Sequence, residues 1–108
     1  MAKYLLAYHG GGPPPDSPEA GQAVMSAWMS WFEKLGPAVA DGGNPIGRAW
    51  TVASNGTTEG AGANPLTGYS VLEAESMDAA LEMAKGCPHL AAGGTIELCE
   101  TFDAAEGM

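Results

Sequence analysis

Ala2-Lys3-Tyr4-Leu5-Leu6-Ala7-Tyr8-His9 runs into Gly10-Gly11-Gly12-Pro13-Pro14-Pro15, and Ser17-Pro18-Glu19 then opens an apolar stretch that lasts to Leu35. The first eight residues alternate on a period of two. Tyr4, Leu6 and Tyr8 share one face, and Lys3, Leu5, Ala7 and His9 the other. The face with two tyrosines and a leucine is the one expected to meet helices, and the glycine and proline run stops the strand. Ser17 supplies a capping hydroxyl, Pro18 suits the first helical position, and Gly36-Pro37 closes the helix. Val24, Trp28, Trp31 and Leu35 follow helical spacing, with Met25, Met29 and Phe32 as an adjacent stripe. This apolar surface is broader than one sheet contact needs, so it is buried on two sides, lines a pocket or meets a second subunit.

Outward from this unit, residues 38–47 have the glycine and proline density of a bent connection. Arg48–Ser54 reads as a strand through Trp50, Thr51 and Val52. Asn55-Gly56 is a tight-turn signal, residues to Pro65 form a long loop, and Thr67–Ala74 is the expected return strand. Ser76 caps a second helix with Asp78 in its first turn and Gly86 as its stop, which Pro88 enforces. Thr95–Phe102 alternates as a last strand. The order is βαββαβ, so the expected fold is α+β and ferredoxin-like: a four-stranded antiparallel sheet with two helices on one face. Residues 1–103 form the single domain and 104–108 a frayed tail. The other sheet face is too apolar to be left to water, which predicts a homodimer.

Charge narrows the partners. Thirteen acidic residues against four scattered basic ones give a net charge of -9 and an isoelectric point near 4.3. Nucleic acid needs clustered Lys and Arg, so it is excluded as a partner, and an anionic membrane surface would repel the chain. No apolar run approaches the roughly 20 residues that span a bilayer. The N-terminal apolar run is too short for a secretory signal, and Cys87 and Cys99 have no CxxC spacing, so the expected compartment is the reducing cytoplasm.

The chemistry-bearing residues are few. His9 ends the first strand beside the glycine loop, where side chains line cleft mouths, and is the candidate general base. Glu97 in the last strand becomes its orienting partner if it faces inward. A pocket is expected between the first helix, the sheet and the Asp41–Pro45 loop. Trp28, Trp31 and Phe32 would form its walls, Asp41 or His9 its polar groups, and His89 a further binding residue. Cys87-x-His89 is a single donor pair and does not make a zinc site. His9-Gly10-Gly11-Gly12 resembles an esterase oxyanion loop, but no G-x-S-x-G elbow accompanies it, and no phosphate-loop pattern occurs. No cofactor and no metal are expected.

Lys3-Tyr4-Leu5-Leu6, Ala40-Asp41-Gly42-Gly43-Asn44-Pro45, Gly68-Tyr69, Ala79-Ala80, Gly86-Cys87-Pro88 and Gly93-Gly94-Thr95-Ile96-Glu97 together resemble the YCII-related (YciI-like, DGPF) proteins. That resemblance spans nearly the whole chain and implies a dimeric α/β barrel, whose superfamily hosts monooxygenases, isomerases and dehydrochlorinases. It also implies a histidine on the first helix and an aspartate before the proline that follows the second helix. Here the first helix has no histidine, Cys87 stands in the aspartate's place, and residues 60–65 lack Asp-Gly-Pro-Phe. The family dyad is therefore not transferable. Two functions follow as expectations: a small-molecule enzyme for cofactor-independent proton transfer or elimination, and a non-catalytic dimeric binding or scaffolding module.

Overall fold

The computed structural model describes residues 1–107. Strand β1 (Ala2–His9) leads through the glycine and proline loop to helix α1 (Pro18–Leu35). The Ser17 hydroxyl accepts from the Ala20 N–H at 3.1 Å and so satisfies an otherwise open helix donor. Gly36 ends α1 with φ +58°, a conformation that costs glycine little. There follow β2 (Val39–Asp41), β3 (Trp50–Ala53), β4 (Gly56–Glu59), β5 (Leu66–Ala74), α2 (Met77–Ala84), the short α3 (Pro88–Ala91), β6 (Thr95–Glu100) and a last helical turn, α4 (Ala104–Gly107). Residues 104–107, expected to fray, thus close one turn; Met108 lies outside the described residues.

The main sheet has the order β2-β5-β1-β6, and each of its pairings is antiparallel. With β3–β4 set aside as an insertion, this is the βαββαβ order expected of a ferredoxin-like α+β domain. Tyr4, Leu6, Leu72 and Ala74 are almost completely buried beneath the helices. Trp31 of α1 packs on Leu6, Tyr8 and Leu72, whereas Ala80 of α2 packs on Tyr4 and Ala74. Both helices therefore cover one face, the face carrying the two tyrosines.

The second strand is a correction. Arg48–Ser54 was expected to pair with Thr67–Ala74, yet the partner of β5 is Val39–Asp41, inside the stretch read as a bent connection. Three residues between Gly36-Pro37 and Gly42-Gly43 are too few to show a period. Their strand geometry comes from the free edge of β5. Trp50–Ala53 instead folds back on Gly56–Glu59 in a separate two-stranded ribbon, with Ser54 and Asn55 as its two-residue turn. Local turn chemistry was satisfied at short range. Every residue of both ribbon strands is exposed, Trp50 and Val52 included.

The loop after α2 also differs from expectation. Pro88 both stops α2 and starts the four-residue α3, leaving Cys87 buried at the junction. Leu5, Ala7, His9, Val71 and Cys99 lie on the sheet face away from the helices, as the strand alternation requires. Among the described helices none is long and apolar enough to cross a membrane.

Candidate functional site

A cavity of about 450 Å³ opens between α1, the end of the sheet and residues 42–45. The same α1 stripe that exceeded the needs of the core supplies its outer wall. Trp28 and Phe32 line it, and Met25 and Met29 lie nearer solvent, each more than half exposed. Trp28 meets Tyr8 edge to face with centroids 5.3 Å apart, a favoured aromatic geometry. Trp31 lies one step below the wall. It is buried in the core, where its indole N–H donates to the Met83 carbonyl at 3.1 Å and ties α1 to α2.

The opposite wall is backbone. Residues 42–45 lie along β5, where the Tyr69 N–H donates to the Asn44 carbonyl at 3.3 Å. Gly43 has φ +75°, and a Cβ there would collide with the Tyr69 carbonyl, so only glycine allows this approach. Asp41 does not line the cavity. Its Oδ1 accepts from the Gly43 N–H at 2.8 Å and shapes the turn instead. Ser70, fully buried, joins this loop to the sheet: the Tyr8 hydroxyl donates to Ser70 Oγ at 2.7 Å, and Ser70 Oγ donates to the Gly42 carbonyl at 2.7 Å.

The polar side chains that line the cavity are Tyr8 and His89, both buried, with Asn44, Thr67 and Tyr69. Burial pushes the Tyr8 phenol well above its ordinary value near 10; the hydrogen bond to Ser70 opposes that rise and the nearby Cys87 adds to it. Tyr8 is therefore a neutral donor. Burial likewise pushes the Cys87 thiol up, against the opposing effect of the His89 backbone N–H, which argues against a reactive thiolate. His89 is buried with its ring 5.1 Å from that of Tyr8. Its Nε2 lies 2.8 Å from the His9 carbonyl oxygen. Gly11 and Gly94 flank the ring so closely that a Cβ on either would run into the imidazole.

His9 and Glu97 do meet, with Nε2 and Oε1 3.1 Å apart. They meet on the sheet face away from α1, and neither lines the cavity. His9 Nδ1 faces the Pro65 carbonyl at 3.1 Å. Both ring nitrogens thus face acceptors. Of the residues expected to bind a ligand, Trp28, Phe32 and His89 line the cavity, and Trp31 and Asp41 support it from behind. Sequence reasoning placed Tyr8 in the core and missed its share of the cavity; its place at the end of β1, beside the glycine loop, was the available signal. Among the described residues no three His, Cys, Asp or Glu side chains converge to hold a metal ion.

These features define an α+β chain of ferredoxin-like order with an aromatic cavity under its first helix. Among solved structures it is similar to 5-chloro-2-hydroxyhydroquinone dehydrochlorinase (TftG) from Burkholderia phenoliruptrix AC1100, solved in complex with 2,5-dihydroxybenzoquinone. The TM-score is 0.57 at 16% identity, and the alignment covers 98% of each chain. At that identity the likeness carries the fold. No family model matches the chain, and no curated protein matches it in sequence.

Proposed function

We propose that this chain binds a small, flat organic molecule in the cavity beneath α1 and acts on it by proton transfer or elimination without a cofactor. The observation that carries the proposal is the cavity itself: about 450 Å³, walled by Trp28, Phe32, Met25 and Met29, with the buried Tyr8 and His89 among its lining residues. That size, with mostly apolar walls and a few polar groups, suits a small ligand. The dehydrochlorinase of similar fold, which acts on a chlorinated hydroxyhydroquinone, supports the same class of substrate and reaction. Membership in the YCII-related family, a homodimer through the Leu5, Ala7 and Val71 face, and residence in the cytoplasm belong to this reading.

Binding is tested by quenching of tryptophan fluorescence with 4-nitroanisole, a flat aromatic that carries no ionisable proton. Wild-type protein is expected to show saturable quenching, and Met25→Arg, which places a charge across the exposed lip, to abolish it. Because Met25 is 64% exposed, the substitution leaves the fold intact. Saturation unaffected by Met25→Arg would put the site elsewhere, and no saturable binding of this probe or of a hydroxyquinone would end the proposal.

A further inference from the structure

We infer that His89 is the proton acceptor of the cavity, held in one tautomer for a substrate that is itself a weak acid, such as a phenol, an enol or a compound with an activated C–H bond. The inference rests on the cavity being the binding site. Its carrier is the 2.8 Å contact between His89 Nε2 and the His9 carbonyl. A carbonyl oxygen only accepts, so Nε2 must hold a proton, and in the neutral ring the lone pair is then at Nδ1. Nδ1 has no hydrogen-bond partner among the described residues. No buried, unpartnered side-chain nitrogen or oxygen occurs among them either, so Nδ1 retains some exposure, and His89 is one of the residues that line the cavity.

The surroundings fix this arrangement. Gly11 and Gly94 make room for the ring where a Cβ would collide with it, and Tyr8 packs against it. The cavity-lining side chains include no carboxylate, lysine or arginine, so no charged group competes for the proton. Besides His89 the ionisable side chains there are Tyr69 and Tyr8, whose phenol burial pushes up. His9, by contrast, has acceptors facing both ring nitrogens and does not line the cavity.

In the step, the Nδ1 lone pair forms an N–H bond as the substrate O–H or C–H bond breaks, and the electron pair stays on the substrate. If a leaving group such as halide stands in position, that pair forms the new π bond and the halide departs with its own bonding pair. The imidazolium charge spreads to Nε2–H, which already points at the His9 carbonyl. The proton then returns to water.

The test uses 4-nitrophenol, whose phenolate is yellow, beside 4-nitroanisole, at a pH where free nitrophenol is colourless. Bound nitrophenol is expected to turn yellow on the wild-type protein, and the bound phenolate fraction to fall at least about tenfold in His89→Gln. Glutamine keeps an N–H for the His9 carbonyl but offers no basic nitrogen. Independently of any variant, imidazole nitrogen NMR of the wild-type protein is expected to show the Nε2–H tautomer for His89. Nitroanisole binding with nitrophenol remaining neutral would overturn the base while leaving the binding reading intact. An Nδ1–H tautomer in the free protein would overturn it as well. If neither probe binds, both readings fall together.

Discussion

Replacing Ser70 with alanine removes one hydroxyl that serves two partners. In the wild type it accepts from Tyr8 at 2.7 Å and donates to the Gly42 carbonyl at 2.7 Å, in a position with no solvent exposure. Alanine fills nearly the same volume, so packing changes little and the cost is that of orphaned polar groups. A buried group left without its partner costs about 1–3 kcal/mol. Gly42 is only half-buried, which softens the loss at its carbonyl, so the two losses together come to about 2–4 kcal/mol. Urea denaturation is expected to show an unchanged m-value and a midpoint lowered by about 1–2 M. Tyr8→Phe should cost less, about 1 kcal/mol, because Ser70 still donates to Gly42. The double variant should then be more stable than the sum of the singles implies, by about 1 kcal/mol, the sign of a shared network. A Ser70→Ala cost below about 0.5 kcal/mol, or a strictly additive cycle, would refute the view that this chain of hydrogen bonds fastens the 42–45 wall to the sheet.

Gly43→Ala is expected to cost more than the left-handed backbone alone, which is about 1–2 kcal/mol, because the new Cβ also meets the Tyr69 carbonyl. Gly47→Ala, with open space around it, should stay within about 0.5 kcal/mol in the same thermal melts. Only the first should weaken 4-nitroanisole binding. Alkaline stability follows from Tyr8. Its folded pKa is raised by burial above the unfolded value of 10.0, so its contribution is fully present below pH 10 and is lost as pH rises above it. The loss approaches about 1.4 kcal/mol per pH unit, and Tyr8→Phe should flatten the stability curve measured by urea titration from pH 9 to 11.

Several parts of this molecule were legible from local chemistry. The alternation of Tyr4, Leu6 and Tyr8, the Ser17 and Ser76 caps and the Gly36 and Gly86 stops each act within a few residues, and each is found where the pattern puts it. The excess apolar stripe of α1 was likewise visible and pointed to a pocket or an interface. Val39–Asp41 was not legible as a strand, since three residues carry no period and pair only because β5 offers an edge. Arg48–Ser54 was legible as a strand but not by partner, because the Ser54-Asn55 turn allowed a nearer one.

The sequence by itself determined which residues could do acid–base chemistry here: two histidines, and little else that titrates near neutral pH. It could not rank them. His9 and His89 differ in what faces their ring nitrogens, two acceptors for one and a single backbone carbonyl for the other. Those partners come from residues 56 to 88 positions away along the chain. Only the tertiary structure decides such contacts, because a lone pair is free or occupied according to what the fold brings beside it.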